Sequence, residues 1–370
     1  MQTTLFDFMS DEDREQLAPK KSTDWKWTFS DYPKQKNGLK VFSCFACGGG
    51  STMGYKLAGC DVLGCCEIDP KMNEIYVENH HPKYNYLMDI RDFNKLEDLP
   101  EELYNLDILD GSPPCTTFST AGLREESWGV EKKFREGQAA QTLDDLSFVF
   151  IETVKKLQPK VVIMENVEGL LLGEAWSYVQ QIYSDFHKAG YKLHHWLLKG
   201  ELMGIPQKRH RVFFIAIRKD LQNDPALLDM TFNYEPITYS QILCGDGIPI
   251  KQGTQTLQML QIANESDKSI RDVLVRIGEK ERCFNDVIVW NDDVMPTVRA
   301  SFSCYRGKEK TKVSIEDIIH AQTFPEDYNF NPKIYSQVGY ICGMSVPPVM
   351  IKRIVTRLIE QGVFGEILTN

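Results

Sequence analysis

The chain contains a series of short apolar runs, and most of them end in an acidic residue or a tight turn. Five of these runs are Val41 to Phe45, Val62 to Cys66, Tyr84 to Met88, Leu106 to Leu109 and Lys160 to Met164. Apolar runs of this length, separated by helical stretches, are typical of buried strands in a parallel sheet. The pattern therefore predicts an α/β fold of the Rossmann-like type, with helices on both faces of the sheet and ligands at the carboxyl ends of the strands.

The first run leads into a glycine-rich turn, Ala46-Cys47-Gly48-Gly49-Gly50, and then into a helical stretch that reaches about Ala58. Strand, glycine turn and helix is the order of a nucleotide-binding crossover, because glycines let the backbone approach a ligand and the helix presents free amides. The second run ends in Glu67-Ile68-Asp69, where a ribose hydroxyl would find a carboxylate acceptor. A helix from Pro70 to about Asn79 is expected next.

The fourth run continues through Asp110 into a turn that contains two prolines and a cysteine. Proline fixes its own φ and pushes the preceding residue into extended geometry, so the thiol of Cys115 is expected to be held rigidly. Such a thiol suits a nucleophile, although a buried cysteine without chemical function is the commoner case. The loop from Ser119 to about Gln141 is rich in glycine and cations, which fits either a lid over a polyanion or a solvated loop.

Two further runs, Tyr191 to Leu198 and Val212 to Ile217, extend the predicted sheet. The second of them follows the segment Gln207-Lys208-Arg209-His210-Arg211. Because side chains alternate along a strand, the first, third and fifth residues of this segment are expected on one face. They would offer fixed donors to a phosphate or a base carbonyl if they face a ligand, and would be ordinary surface residues elsewhere.

The regular pattern fades after Arg218, and we predict four segments from this change. They are an N-terminal tail over 1–38, a large domain over 39–218, a smaller irregular domain over 219–325, and a segment over 326–370 that returns to the large domain. The last segment contains an amphipathic helix that begins near Pro348.

Charge and composition limit the class of protein. The net charge of −10 argues against a basic coat that binds nucleic acid everywhere, but it permits a local basic cleft. No apolar run approaches the roughly 20 residues needed to cross a bilayer, and the N-terminus lacks a signal-peptide pattern. We therefore expect a cytoplasmic protein with no membrane contact.

The ten cysteines are expected to be reduced thiols, because most of them lie in apolar runs and nothing marks the chain as secreted. Cys44, Cys47, Cys60 and Cys65 can be imagined as zinc ligands. Zinc knuckles place their ligands on turns, whereas these residues lie mainly in strand-like runs, so no metal is expected.

The motifs in this order resemble those of the DNA (cytosine-5)-methyltransferases of bacteria and phages, which use S-adenosylmethionine. The resemblance extends from Lys40 to Leu358. It rests on the glycine-rich turn, Pro114 to Ser119, Glu165-Asn166-Val167, Gln207 to Arg211, Gln322-Thr323-Phe324-Pro325 and Val346-Pro347-Pro348.

Two positions depart from the family pattern. Cys47 stands where the Phe-x-Gly-x-Gly-Gly motif has its first glycine, and Met344 stands where an asparagine is usual before the final Val-Pro-Pro. Both positions border the expected cofactor site.

The resemblance implies the fold of a class I methyltransferase and a reaction on a cytosine that is flipped out of the duplex. It implies that Cys115 adds to C6 of the base and that Glu165 bonds N3 and the exocyclic amine. Arg211 would hold the base carbonyl, and Arg209 would lie close to the reacting groups or the backbone. The domain over 39–218 would then be catalytic and the one over 219–325 would recognise the target sequence.

The same resemblance implies a site for S-adenosylmethionine, whose product would be S-adenosylhomocysteine. Its residues would be Phe45, Gly49, Gly50, Glu67, Ile68, Asp89, Ile90, Ser345 and Val346. Within this set, Glu67 would bond the ribose and Asp89 the adenine amine. Phe45 and the two glycines would shape the methionine end.

The expected partner is double-stranded DNA, and the protein is expected to act as a monomer. A cognate restriction endonuclease is one companion considered, and whether a restriction enzyme or a phage genome accompanies the chain stays open. The first residues, Gln2 to Phe6, resemble peptides that dock on the replication sliding clamp, and an idle terminus is the alternative. Two other functions stay open: a cytosine-5 methyltransferase acting on RNA, whose usual Cys-Phe-Thr element is absent, and a non-catalytic DNA-binding descendant. An adenine-directed enzyme would need an aromatic residue at the position of Cys115.

Overall fold

A computed structural model describes residues 18–114, 145–173, 175–279 and 286–365. Its strands are β1 (Lys40–Cys44), β2 (Asp61–Glu67), β3 (Tyr84–Leu87), β4 (Ile108–Gly111), β5 (Val161–Val167), β6 (Tyr191–Lys199), β7 (Gln207–Lys208), β8 (His210–Arg218), β9 (Val287–Val289), β10 (Met295–Pro296), β11 (Cys304–Arg306) and β12 (Thr311–Lys312). Its α-helices are α1 (Gly50–Leu57), α2 (Pro70–His80), α3 (Ile90–Phe93), α4 (Leu146–Leu157), α5 (Ala175–Lys188), α6 (Tyr239–Ile242), α7 (Gln255–Ile262), α8 (Ile270–Arg276), α9 (Ile315–Ala321), α10 (Tyr335–Met344) and α11 (Pro348–Glu360).

Seven strands form one sheet in the order β3-β2-β1-β4-β5-β8-β6. The strands β1 to β5 pair in parallel with their neighbours. Strand β8 is antiparallel to both β5 and β6, so β6 again runs in the direction of the first five. The predicted Rossmann-like sheet is confirmed, and its order reverses between β1 and β4, where doubly wound sheets bind their ligands.

Alternation along the central strands places apolar side chains on both faces of the sheet. Phe42, Leu109 and Val162 belong to a core that also contains the buried faces of α4 and α5. Their neighbours in sequence, among them Val41 and Ile108, belong to a second core with α1 and α11. Because both faces are covered by helices, the strands are apolar throughout rather than alternating with polar residues.

The chain after Arg218 forms short elements around smaller cores. Strands β12, β11 and β9 make a three-stranded sheet, and α7 and α8 pack on one of its sides through Leu260, Val273 and Ile288. A buried ion pair joins Arg306 of β11 to Asp317 of α9 at 2.8 Å. The short, irregular elements account for the lost sequence pattern. The boundaries of the four predicted segments stay a prediction.

Strand β7 attaches this later part of the chain to the large sheet. The side chain of Gln207 is fully buried and donates to the carbonyl of Ala321 at 3.0 Å. Its carbonyl oxygen accepts from the amide of Val298 at 2.8 Å. A single glutamine therefore bonds two segments that are about a hundred residues further along the chain.

The segment Tyr335–Glu360 corrects the expectation that no stretch approaches the length and hydropathy of a membrane span. Among the residues that the structure describes it is the one stretch that does, with a mean hydropathy of 1.2 over its most apolar window. It consists of α10 and α11, separated at Ser345, and 72% of that window is buried inside the protein. Burial against other protein segments is the behaviour of core helices.

Helices α1 and α11 approach closely at Gly54, and this contact can be tested. A Cβ atom added to Gly54 would overlap the carbonyl oxygen of Pro348 and lie 2.5 Å from Cβ of Ile351. Gly54→Ala should therefore push the helices apart and lower the free energy of unfolding by about 1–3 kcal/mol.

The matched control is Gly339→Ala in α10, where an added Cβ would meet no atom within 4 Å. This variant should be as stable as the parent or slightly more stable, because alanine restricts the unfolded chain. Urea unfolding of both variants measures the difference. Equal loss of stability in the two variants would contradict the packing described for α1 and α11.

Candidate active site

The carboxyl ends of the central strands meet at one edge of the sheet. Cys44, the last residue of β1, pairs with Cys66 of β2 and with Gly111 of β4. Gly111 in turn pairs with Met164 of β5. The segments that leave these four strands therefore start side by side, and the segments after β1 and β2 carry the predicted site residues Phe45, Gly49, Gly50 and Ile68.

The glycine turn after β1 has a constrained backbone. Phe45 and Cys47 adopt φ angles of 58° and 47°, in the left-handed region that favours glycine. Cys47 therefore occupies a position suited to the glycine of the family motif, which explains the usual residue there. Holding a residue with a side chain in this region costs on the order of 1 kcal/mol or more, so the surrounding contacts must fix the turn.

Glu67 at the end of β2 supplies one of these contacts. Its carboxylate accepts the amide of Cys47 and the amide of Asp69, each at 2.8 Å. Burial raises the pKa of Glu67, while the two backbone hydrogen bonds act in the opposite direction. A carboxylate offers about four acceptor positions, so Glu67 can still accept a hydroxyl from a ligand.

Gly49 and Gly50 pack against protein atoms. A Cβ at Gly49 would overlap the imidazole of His80, and a Cβ at Gly50 would overlap the carbonyl oxygen of Val346. Ser345 and Val346 are buried, and both lie against Gly50, so their segment packs beside the glycine turn. The sequence suggested that glycines allow a ligand to approach, and the structure adds that they allow close internal packing.

Asp89 and Ile90 follow β3 at the same edge. Asp89 caps α3 by accepting the amide of Arg91 at 2.8 Å, and it also pairs with the guanidinium of Arg91 at 3.3 Å. Arg91 reaches on to Asp145 at 2.5 Å, an interaction that the sequence did not indicate. The side chain of Ile90 is buried in the core, and Ile68 lies half-buried after β2.

The acceptor set fits a nucleoside. Glu67 pairs with Leu87 in the register of β2 and β3, so the carboxylates of Glu67 and Asp89 leave adjacent strand ends. Carboxylates placed in this way suit ribose hydroxyls and an exocyclic amine. Phe45 adds a partly buried aromatic surface at the end of β1.

Glu165 and Arg211 form an ion pair on neighbouring strands. In the antiparallel register Glu165 of β5 lies opposite Phe213, and Arg211 of β8 lies opposite Val167, so the two side chains meet diagonally. The Nε atom of Arg211 donates to Oε1 of Glu165 at 2.8 Å. Burial lowers the pKa of Arg211, and the charge of Glu165 acts against this shift.

Arg209 has a different environment from Arg211. Its side chain is 2% exposed and donates to the carbonyls of Val298, Gly343 and Ser345 at 3.0, 3.2 and 3.0 Å. Burial lowers the pKa of Arg209, and the neighbouring charge of Arg211 lowers it further. Arg209 thus binds the protein's own backbone and holds the segment with Ser345 against the sheet.

The predicted nucleophile, Cys115, lies outside the described residues, which stop at Pro114 before this gap. The adjoining part of the turn is described. The side-chain amide of Asn166, next to Glu165 on β5, donates to the carbonyl of Pro113 at 3.4 Å. This contact links the segment that leads into Cys115 to the strand that carries Glu165.

His210 was not singled out from the sequence, although it lies between Arg209 and Arg211. Its Nε2 atom lies 2.9 Å from Oε1 of Glu201, and its Nδ1 atom lies 3.5 Å from Oε2 of Glu168. Arg211 donates to the carbonyl of His210 at 2.7 Å. His210 and the two glutamates thus border the Glu165–Arg211 pair.

The thiols considered as zinc ligands are free cysteines, and burial raises the pKa of Cys44, Cys60 and Cys65. Within the described ranges, no three histidine, cysteine or acidic side chains are arranged to hold a metal ion.

A family model described as C-5 cytosine-specific DNA methylase matches residues 39–288. The type II methyltransferase M.FnuDI of Fusobacterium nucleatum is 34% identical over 184 residues, which are 50% of this chain and 48% of that protein. M.NgoPII of Neisseria gonorrhoeae is 32% identical over 194 residues and 51% of each chain. This chain thus spans about half the length of these two curated relatives.

A longer match is found with M1.HphI of Haemophilus parahaemolyticus, which is 26% identical over 365 residues and 90% of each chain. Among solved structures, a mutant of Spodoptera frugiperda DNMT2 has a TM-score of 0.61 at 16% identity and covers 87% of this chain and 100% of its own. A prophage-encoded E. coli protein, described as a DNA modification methyltransferase, has the same TM-score at 19% identity, over 89% of this chain and 100% of its own. At these identities the structures show a shared fold.

The buried carboxyl of Asp110, just before the predicted cysteine turn, gives a pH-dependent prediction. Burial raises its pKa from 3.8 to about 7, and the charge of Glu165 acts in the same direction. The hydroxyls of Ser43 and Tyr55 donate to the carboxylate and act in the opposite direction. Because the pKa of Asp110 is higher in the folded protein than in the unfolded chain, the protonated carboxyl stabilises the fold. This contribution to the free energy of unfolding is fully present below the pKa of the unfolded chain and is lost as the pH rises towards 7.

Asp110→Asn removes this titration. The stability of the variant relative to the parent should therefore increase between about pH 4 and pH 7, by up to about 1.4 kcal/mol per pH unit. Urea unfolding of both proteins across this range measures the difference. A difference that stays constant with pH would show that Asp110 does not titrate in this window.

Proposed function

Because the chain belongs to the C-5 cytosine-specific DNA methylase family, we propose that it transfers a methyl group from S-adenosylmethionine to C5 of a cytosine in double-stranded DNA. The observation that carries this proposal is the Glu165–Arg211 pair at the sheet edge that also bears Glu67 and Asp89. The Glu165–Arg211 pair would bind the base, and Glu67 and Asp89 would bind the nucleoside. Both pairs lie at one edge of the sheet, as the transfer of a group between two ligands requires.

When bound, S-adenosylmethionine supplies an electrophilic methyl group. Glu67 would accept its ribose hydroxyls and Asp89 its adenine amine, because both carboxylates stand at adjacent strand ends. Phe45, Gly49 and Gly50 would border its methionine part, with Ser345 and Val346 behind the glycines. The backbone at Ile68 and Ile90 would complete the adenosine side.

Cytosine needs activation because C5 of the aromatic ring is a poor nucleophile. Addition of the Cys115 thiolate to C6 forms a carbon–sulfur bond and moves electron density through the ring to C5 and N3. Glu165 stabilises the adduct by bonding N3 and the exocyclic amine. Transfer of the methyl group to C5 would break its bond to the donor sulfur and leave S-adenosylhomocysteine as the product. Loss of the C5 proton to a base and of the Cys115 thiolate from C6 then restores the aromatic ring.

Arg211 has two tasks in this mechanism. Its Nε–H fixes one oxygen of Glu165, which leaves the other oxygen free to face the base. Its remaining guanidinium donors suit the carbonyl oxygen of cytosine. Arg209 acts at a distance, through its bonds to the backbone at Val298, Gly343 and Ser345. Asn166 would help to aim Cys115 through its bond to the carbonyl of Pro113.

The segment over 219–325 would read the target sequence, and the cytoplasm, where DNA is accessible, would be the place of action. A restriction endonuclease is the companion expected of a type II system. The clamp-binding resemblance at Gln2 to Phe6 falls on residues outside the described ranges and stays a prediction.

Bisulfite sequencing of DNA from a host that expresses the chain tests the function directly. We expect one short sequence to carry methylated cytosine, and Cys115→Ser to abolish this methylation because the weakly acidic hydroxyl cannot replace the thiolate. Calorimetry should show that Cys115→Ser still binds S-adenosylmethionine, because the cofactor residues lie on other strand ends. Unmodified DNA with the parent chain would refute a DNA substrate, and methylated host RNA would favour the RNA alternative.

A further inference from the structure

The carbonyl of Gly48, in the middle of the glycine turn, is held by two side chains. The hydroxyl of Tyr328 donates to it at 2.7 Å, and Nε2 of His80 lies 3.2 Å away. Both side chains are buried, with 3% of Tyr328 and 5% of His80 exposed. A Cβ at Gly48 would lie 2.9 Å from the hydroxyl of Tyr328, which shows how closely the tyrosine approaches the turn.

The turn needs such support because of its backbone conformation. Phe45 and Cys47 have left-handed φ angles although both carry side chains. A turn of this kind persists only when its surroundings fix it. Glu67 holds the turn at the amide of Cys47, and Tyr328 and His80 hold it at the next carbonyl.

Because a carbonyl oxygen can only accept, Nε2 of His80 carries the proton that is donated to Gly48. Burial lowers the pKa of His80 to about 3, and the charge of Lys56 acts in the same direction. The hydrogen bond to Gly48 acts in the opposite direction on this pKa, and the charge of His81 lowers it further. His80 therefore remains an uncharged donor at physiological pH.

Tyr328 is itself fixed by the N-terminal segment. Trp27 Nε1 donates to the carbonyl of Thr323 at 2.8 Å, and the carbonyl of Trp27 accepts the amide of Glu326 at 2.9 Å. Phe29 donates its amide to Asp327 at 3.0 Å and places its ring 6.3 Å from that of Tyr328. The residues that precede Tyr328 in the chain are thus anchored to the N-terminal segment.

We infer that Tyr328 and His80 are positioning residues for the cofactor turn: by holding the carbonyl of Gly48, they keep Phe45, Gly49 and Gly50 in the conformation that binds the methyl donor. The inference rests on the proposed function, because it assigns these residues to the cofactor site named there. It connects two parts of the chain that are 280 residues apart in sequence.

The test compares Tyr328→Phe with a control variant that loses the same kind of hydrogen bond at another place in the protein. Tyr191 is also buried and donates its hydroxyl to a backbone carbonyl, that of Pro159, at 2.7 Å. Tyr191 begins β6, and Pro159 lies just before β5, so this bond is at the opposite end of the sheet from the glycine turn. Tyr191→Phe therefore reproduces the general cost of deleting a buried hydroxyl.

Isothermal titration of the full chain with S-adenosylhomocysteine gives the affinity without any need for activity. Tyr328→Phe should weaken binding about 3- to 10-fold, the range expected for one buried hydrogen bond, while Tyr191→Phe should bind as the parent does. Thermal unfolding without ligand should show similar losses of stability in the two variants. This readout separates positioning of the turn from a general effect on folding.

Unchanged affinity in Tyr328→Phe, or an equal loss in both variants, would overturn the positioning role and leave the proposed function intact. A parent chain that does not bind S-adenosylhomocysteine would overturn the proposed cofactor and this inference together. Weaker binding confined to Tyr328→Phe supports the role.

Discussion

The buried guanidinium of Arg209 is the interaction on which the assembly of this site depends. A desolvated charge is costly unless it is hydrogen-bonded, and the two terminal nitrogens of this guanidinium donate to three backbone carbonyls, while its Nε has no hydrogen-bond partner among the described residues. Two of these carbonyls belong to Gly343 and Ser345, so Arg209 holds the end of α10 and the residue that follows it against the start of β8. The segment that follows α10 also packs on Gly50. The sheet edge, the glycine turn and the C-terminal helices therefore form one unit.

Two groups of residues are held in place at the carboxyl edge of the sheet. On one side the strained glycine turn is held by Glu67, Tyr328 and His80, which fix its amide and carbonyl groups. On the other side Arg211 holds Glu165 in a defined orientation. Both sets of groups are held by the protein's own side chains, so little reorganisation would be needed when charge develops on a bound base.

The sequence predicted the sheet and its edge well because these depend on local pattern. Apolar runs that end in Glu67 or before Asp89 locate strand ends directly, and a family resemblance adds roles to them. The contacts of Tyr328 with Gly48 and of Arg209 with Ser345 join residues more than a hundred positions apart. The periodicity of apolar residues cannot predict pairs so far apart. The sequence also does not distinguish a buried arginine from an exposed one.

In the proposed mechanism, Cys115 forms a covalent bond to C6 of cytosine beside Glu165. Duplex DNA with 5-fluorocytosine at the methylated position tests it, because fluorine at C5 cannot leave as a proton does in the final elimination. The parent chain with S-adenosylmethionine should form an adduct that survives boiling in detergent, and Cys115→Ala should form none. An equal adduct with Cys115→Ala, or none with a parent chain that methylates the unmodified duplex, would contradict this account.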